Sequence, residues 1–182
     1  AFISCDGLTS IVIGNGVTSI RFEAFSGCTG LKEVYISDLT AWCNISFGSS
    51  SANPLCYAEN LYLNGELVTE LVIPDDVKEI KNYAFNKCYS LTSIEIPNSV
   101  TFIGEDAFYY CTGLKSVVIG NSVTSIGKRA FYECTGLKTV YNYSNLTFSK
   151  GSSGNGYVAY YADKVYNAPN GSIEGDFIFG KP

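Results

Sequence analysis

The chain contains no histidine. Without imidazole there is no Ser-His or Cys-His nucleophile pair, and no metal site that depends on a ring nitrogen. Basic residues are scarce as well: 12 Lys and Arg stand against 17 Asp and Glu, a formal net charge of -5. Nucleic acid demands a basic face for its phosphates and anionic membrane surfaces attract the same groups, so neither is an expected partner. Apolar runs extend over only a few residues, too short to span a bilayer, and no membrane insertion is expected. The opening "AFISCDGLTS" has no basic start leading into an apolar stretch, so it does not read as a signal peptide. None of the seven cysteines forms a C-x-x-C pair, which argues against zinc. "GNG", "GNS" and "GSSGNG" are glycine-rich, but none fits a phosphate-cradling loop that runs into a helix. No metal or other cofactor is expected.

What is present is repetition. Leu91, Leu114 and Leu137 are 23 residues apart, as are Cys88, Cys111 and Cys134, Phe85, Phe108 and Phe131, and Ala84, Ala107 and Ala130. Near the start, Cys5 to Cys28, Leu8 to Leu31 and Ile13 to Ile36 keep the same step of 23. The unit reads L-x-x-[IV]-x-I-P/G-x-x-V-T-x-I-G-x-x-A-F-x-x-C-x-x, and six registers are recognisable.

Each unit supplies one short strand. In "LTSIEI", Ile94 and Ile96 share one face while Ser93 and Glu95 share the other. "LTSIVI", "LKEVYI", "VTELVI" and "LKSVVI" alternate in the same way. One such strand cannot bury its inward residues, but stacking one per turn makes a parallel sheet over a continuous core. Pro or Gly then turns the chain, and the return path carries "VTSI" or "VTFI", whose Val-Ile spacing of three suits a twisted short strand or a 3₁₀ turn. The Ala-Phe pair puts a ring into the back of each rung. With about 3–5 kcal/mol at stake in truncating a buried Phe, Phe25, Phe85, Phe108 and Phe131 are expected to dominate stability.

"LTSIEIPNSVTFIGEDAFYYC" and "LKSVVIGNSVTSIGKRAFYEC" resemble the 23-residue leucine-rich repeats of the BspA-like family, found in secreted and surface proteins of host-associated bacteria. The resemblance covers roughly residues 1 to 140. It implies an α/β-type leucine-rich-repeat solenoid dominated by β structure, a right-handed curved superhelix. Short parallel strands would line the concave side, and short strands, 3₁₀ turns or helical turns the convex side. It also implies an extracellular or cell-surface location, with a binding or adhesive role. Because the start lies inside a repeat, the chain reads as a piece of a longer protein. Residues 1–143 form the expected array and 144–182 an irregular closing segment. Sequons begin at Asn44, Asn142, Asn145 and Asn170, and in a bacterial chain these would stay bare.

Five cysteines, Cys5, Cys28, Cys88, Cys111 and Cys134, occupy one repeat position. Equivalent residues on successive rungs point the same way, so a ladder of free thiols packed as small hydrophobes is expected rather than disulfides. Cys43 and Cys56 lie outside that ladder and could pair or stay free. From Leu31 to Val68 is 37 residues, 14 more than one period, which places an insertion within 37–67. Ser37 is a plausible N-cap for a helix over 38–43, Asn53-Pro54 resembles a second helix start, and Asn64-Gly65 between apolar residues is a hairpin signal. Trp42, the one tryptophan, reads either as a ligand contact on this bulge or as an anchor packed over the enlarged turn.

After Tyr143 the period is lost, and the polar "SKGSSGNG" divides the remainder of the chain. Leu146 to Tyr166 is expected to continue the sheet in irregular rungs that cover its open end. "DFIFG" reads as one more strand or the start of a further module. Tyr157, Tyr160, Tyr161 and Tyr166 form either a half-buried cap or a platform for stacking sugars.

The residues expected to face outward from the concave strands are Ser10, Val12, Glu33, Tyr35, Glu70, Val72, Ser93, Glu95, Ser116, Val118, Thr139 and Tyr141. Of these, Glu33, Tyr35, Glu70, Glu95, Thr139 and Tyr141 are the candidate ligand contacts. If Glu33, Glu70 and Glu95 share a column, rungs about 4.8 Å apart would make them repel one another and attract a basic partner or a cation. Paired carboxylates can hydrolyse glycosides at separations of ~5–9.5 Å. Yet the insertion separates Glu33 from Glu70, and a shallow sheet implies no deep pocket, so a solvated face is the expectation and no catalysis. The functional expectation is a monomeric, non-catalytic extracellular module whose concave sheet engages a protein or glycan partner. The alternative is a structural spacer within a larger surface protein.

Overall fold

Alternating aliphatic and polar residues over three or four positions make strands too short to stand alone, and the chain stacks them. The computed structural model describes residues 2–58 and 60–169. In chain order the strands are β1 (Ser10–Val12), β2 (Ser19–Ile20), β3 (Glu33–Ile36), β4 (Ser46–Phe47), β5 (Asn60–Leu63), β6 (Glu66–Leu67) and β7 (Glu70–Val72). They continue with β8 (Glu79–Ile80), β9 (Ser93–Ile96), β10 (Phe102–Ile103), β11 (Ser116–Ile119), β12 (Ser125–Ile126), β13 (Thr139–Asn142) and β14 (Lys164–Asn167). One short helix, α1 (Leu39–Cys43), lies between β3 and β4. The result is a β-solenoid of about seven turns with mostly parallel strands and little helix.

Two sheets form the front, in the orders β1-β3-β5-β6 and β14-β13-β11-β9-β7. Register follows the repeat: Ser93, Ser116 and Thr139 align, as do Ile94, Val117 and Val140. The inward residues Val34, Leu61, Leu71, Ile94, Val117 and Val140 are buried. At the back, the "VTSI" and "VTFI" segments are strands: β2 pairs with β4, and β10 with both β8 and β12. Gly104 and Gly127 follow β10 and β12 where the rungs touch. A Cβ on either would lie 2.5 Å from the backbone nitrogen of Asn82 or Glu105, so only glycine fits.

Between back and front run the turns that carry Ala-Phe. Phe85 and Phe108 stack at 5.3 Å and Phe108 and Phe131 at 5.1 Å, all three fully buried, and Phe2 stacks on Phe25 at 5.2 Å. Two non-glycine residues per regular rung are left-handed, at Tyr83, Asp106 and Arg129 and at Lys87, Tyr110 and Glu133.

The cysteines are free; Cys5 is exposed and does not pack as the ladder predicts, while the buried members of the ladder do more than fill space. Cys28, Cys111 and Cys134 donate their thiol hydrogens to the carbonyls of Phe2, Phe85 and Phe108, 26 residues earlier, at 2.9, 3.2 and 3.2 Å. Cys88 departs from this, reaching Ser90 Oγ at 3.8 Å, because the rung before it is the altered one. Burial pushes the Cys43 and Cys88 thiols up to about 12 and raises Cys111 well above its ordinary value. Alkylation of the folded chain, read by mass spectrometry, will therefore label exposed Cys5 first and half-buried Cys56 more slowly. The five buried thiols will react only after denaturation, and without reductant all seven will then be modified. Two cysteines that stay unreactive after denaturation would reveal a disulfide and overturn this account.

The 14 surplus residues do not form one insertion. β5 pairs with β3 in parallel, Glu33 beside Asn60 and Val34 beside Leu61, so "NLYL" is a rung of the front ladder. From Val34 to Leu61 is 27 residues, four more than the period, and α1 supplies this extra helical turn. The other ten lie between Leu61 and Leu71, in the β5-β6 hairpin, where Asn64 and Gly65 adopt φ of 53° and 87°, in keeping with the hairpin signal. The N-cap of α1 is Asp38, not Ser37: its Oδ1 accepts from the Ala41 amide at 2.9 Å. Asn53 does cap the next turn, through a bond from the Leu55 amide, but Pro54–Cys56 is a 3₁₀ turn.

Ala52 takes the phenylalanine position in this rung, since Phe25 donates to the Ser51 carbonyl as Phe85 donates to that of Ala107. The ring stack is therefore interrupted, and Trp42 supplies the missing aromatic bulk. It is 1% exposed, lies against Phe47 at 5.4 Å, and donates Nε1–H to the Ala84 carbonyl at 3.0 Å. The anchor reading of Trp42 is the one the fold adopts.

Toward the C-terminal end, β14 pairs with β13 in register, 25 residues on, so the sheet does continue past Tyr143. Phe148, Val158, Ala159 and Ala162 join the core. The buried column Ile73, Ile96, Ile119 gives way to Asn142, whose Nδ2 donates to Leu146 O at 2.5 Å and Asn167 Oδ1 at 2.8 Å. "DFIFG" and the sequon at Asn170 lie outside the described residues.

Candidate functional site

Outward side chains of the front strands fall into two columns. The first holds Ser10, Glu33 and Asn60 in one sheet and Glu70, Ser93, Ser116, Thr139 and Lys164 in the other. The second holds Val12, Tyr35 and Tyr62, then Val72, Glu95, Val118, Tyr141 and Tyr166. This register separates the three glutamates. Glu33 stands between Ser10 and Asn60, Glu70 beside Ser93, and Glu95 between Val72 and Val118. The single column of carboxylates does not form, because Glu95 occupies the strand position two residues beyond that of Glu33 and Glu70.

The register instead assembles two tyrosine pairs. Tyr35 stacks on Tyr62 at 4.8 Å and 20°, and its hydroxyl donates to Glu33 Oε2 at 3.0 Å. That bond, which needs the phenol proton, raises the Tyr35 pKa. Tyr141 stacks on Tyr166 at 5.2 Å and 8°. Tyr141 is only 8% exposed while Tyr166 is 46% exposed, so the outer ring presents most of that pair's surface. Sequence reasoning misses Tyr62 because it places that strand within the insertion; the alternation N-L-Y-L is the available signal. Thr139 and Glu95 are half-buried on this face and Glu70 is exposed. Tyr166 belongs to the front pair and is thereby separated from Tyr157, Tyr160 and Tyr161, which meet one another beside the turn residues Tyr132 and Glu133.

On the turn side, Asp106 is held by Arg129 in a two-pronged contact, Nε to Oδ1 at 3.0 Å and a terminal nitrogen to Oδ2 at 2.8 Å. Burial pushes the Asp106 carboxyl up, and Arg129 offsets this only in part; Glu105 adds to the rise and Lys128 opposes it. The same contact raises the pKa of Arg129. With its folded value above the unfolded one, a neutral Asp106 favours folding at low pH, and that advantage is lost as pH rises through the folded value. Arg129→Ala removes the compensation. Its side chain is 43% exposed, so solvent screens the pair and the expected loss is about 1–2 kcal/mol at neutral pH. The loss will be smaller at an acidic pH below the raised Asp106 value, where the carboxyl carries its proton. Urea unfolding at both pH values checks this; an equal loss at both would mean that Arg129 acts by packing alone.

Among the described residues, no group of three or more His, Cys, Asp or Glu is placed to hold a metal ion, and no helix is long and apolar enough to cross a membrane.

The rung geometry and its sequence signature match a known repeat. The BspA type leucine rich repeat region matches residues 1–61 and 57–153, as six copies. The chain belongs to the BspA-type leucine-rich repeat family. Solved structures agree. The chain is similar to a Treponema pallidum (T. pallidum) leucine-rich repeat protein at 25% identity and a TM-score of 0.52, covering 90% of this chain and 71% of that one. It is also similar to a leucine-rich repeat protein from Eubacterium ventriosum, at 27% identity and a TM-score of 0.50, over 75% of this chain and 37% of that one. No curated protein matches. BspA-type repeats are typical of surface proteins, and leucine-rich repeat folds serve generally as non-enzymatic binding or structural modules.

Proposed function

We propose that this BspA-type array is a non-catalytic, extracellular binding module that acts as a monomer and engages a protein or glycan partner through its front sheet. The observation that carries this reading is the pair of stacked tyrosine dyads, Tyr35–Tyr62 and Tyr141–Tyr166, one on each of the two sheets that form the front. Stacked rings on strands lose little freedom on binding, which favours their use as anchors. Glu33, Glu70, Glu95 and Thr139 would supply polar contacts around them, and the carboxylates would select for basic groups on a protein partner. In this reading residues 1–143 are the array and 144–182 close it. The buried Phe148 and Val158 and the pairing of β14 support that division as far as residue 169.

A quadruple replacement, Tyr35→Ala, Tyr62→Ala, Glu95→Ala and Tyr166→Ala, is expected to abolish capture of the partner in glycan-array and extracellular-protein screens while the thermal midpoint changes little. Undiminished capture would move the site off the front sheet. Val12, Val72 and Val118 interrupt the polar face, and Val12 and Val72 are exposed by 75% and 55%. These smooth stretches favour the second reading, a structural spacer in a larger surface protein, which predicts no partner in either screen.

A further inference from the structure

We propose a second binding site, on the turn side of the solenoid, for a short neutral oligosaccharide. A groove of about 530 Å³ opens there among Asn86, Tyr89, Asp106, Tyr109, Tyr110 and Arg129. That volume lies within the range of about 300–1,000 Å³ that small ligands occupy.

A sugar ring needs flat apolar surface for its C–H faces and fixed donors and acceptors for its hydroxyls. The groove offers both. Tyr89 and Tyr110 are 39% and 37% exposed, so large parts of both rings are open to a ligand. Tyr110 leans on Tyr109 at 5.0 Å, and Tyr109 is braced by Tyr132 at 5.8 Å and by the Arg129 cation 5.7 Å from its ring centre. Tyr110 is also fixed at its backbone, which is left-handed with φ of 61° and donates to the Tyr132 carbonyl at 2.8 Å. The aromatic surface is therefore built before any ligand arrives. Polar groups line the groove as well: the Ser50 hydroxyl, the Lys87 ammonium and the Asp106 carboxylate, which Arg129 already holds through both oxygens and whose remaining lone pairs can accept. From the groove the tyrosines continue in contact through Tyr132, Tyr157, Tyr160 and Tyr161, which would let a longer chain of sugars track along the turn side of the solenoid.

Charge favours a neutral ligand. Arg129 is already engaged by Asp106 at 2.8 Å and lies 3.8 Å from Glu105, which leaves Lys87 as the one other cation lining the groove. With a net charge of -5, the chain would repel an acidic sugar. The groove is also too confined for a flat protein face, which typically covers ~800 Å² on each partner.

The test is titration of the full chain with N-acetylchitotetraose, maltotetraose and lacto-N-tetraose, read by calorimetry and by NMR shift mapping. The three probes separate acetamido sugars from plain hexoses and host-type glycans. At least one is expected to bind, with shifts centred on Tyr89 and Tyr110. Tyr89→Ala with Tyr110→Ala should weaken it by ~10-fold or more, and Phe22→Ala, at an exposed ring outside both sites, should leave it unchanged. Shift mapping on the unaltered chain decides the matter even if the double variant misfolds. No binding by any of the three, or shifts centred on the front sheet, would overturn the proposal. The first result leaves the front-sheet reading standing, and the second would support that reading at this one's expense.

Discussion

Phe108→Ala will lower the free energy of unfolding by about 3–5 kcal/mol, more than any other single truncation in the regular part of the array. Phe108 is fully buried and stacks on a neighbour from each side, Phe85 at 5.3 Å and Phe131 at 5.1 Å. The cost combines the apolar area returned to water, a cavity that close-packed neighbours cannot fill, and two ring contacts worth about 0.5–1.5 kcal/mol each. The peptide groups around the ring are fixed by rung-to-rung bonds, Phe85 to Ala107 at 2.7 Å and Phe108 to Ala130 at 2.8 Å, so the backbone cannot close over the hole. In a stacked array each rung contacts its neighbours alone, so the loss will register as weakened coupling across the two interfaces on either side of the Phe108 rung. Urea unfolding monitored by circular dichroism measures it. Phe2→Ala is the control: Phe2 has one ring partner and is 44% exposed, and its loss should stay near 1 kcal/mol. A loss below about 1 kcal/mol at Phe108 itself would mean that the ring stack does not hold the rungs together.

The parts of this fold that the sequence displays are those governed by a fixed repeat. Ile94 and Ile96 point inward because a strand alternates, and Cys111 succeeds Cys88 because every regular rung has the same length. A 23-residue step therefore reads directly as register, from Ser93 to Ser116 to Thr139. Legibility ends where length and register part company. The stretch from Leu31 to Val68 shows 14 surplus residues, but nothing local says whether they form one bulge or one helical turn plus a hairpin. Only pairing decides, and the pairing of Tyr35 with Tyr62 makes "NLYL" a rung. The candidate site inherits that error: Tyr35 is visible in the sequence but its stacking partner is not. Tyr166 is visible as one of a tyrosine-rich tail, but its place against Tyr141 depends on a 25-residue last rung that breaks the period. Tyr109 and Tyr132 hold a repeat position just after Phe, and their contact is legible in retrospect from the same step of 23. Polar bonds across rungs, such as the Cys thiols to Phe carbonyls, leave no sequence mark beyond the regular spacing itself.

Trp42→Ala will have the second large effect, also about 3–5 kcal/mol, and of a different kind. The front strands are divided into a four-stranded and a five-stranded sheet. In the turns between back and front the ring stack is broken where Ala52 replaces phenylalanine. Trp42 crosses that break: it rises from α1 and reaches forward 42 residues to the Ala84 carbonyl at 3.0 Å. Asn53 supports the same junction, its Nδ2 donating to Tyr83 O at 2.7 Å and to Ala84 O at 3.1 Å. These side-chain donors serve carbonyls at the place where the altered rung departs from the regular backbone pattern. Removing the indole leaves a large cavity at the junction and one bond fewer to Ala84. The two halves, each with its own sheet, will then unfold at different denaturant concentrations, and a single transition will become two. Trp42→Phe separates the causes: it keeps much of the ring and loses the N–H, so it should cost about 1–3 kcal/mol. Hydrogen exchange resolved along the chain shows which half opens first. A single sharp transition in Trp42→Ala, displaced but not split, would place the coupling between halves in the β5-β6 hairpin and the backbone around it, and reduce Trp42 to filling space.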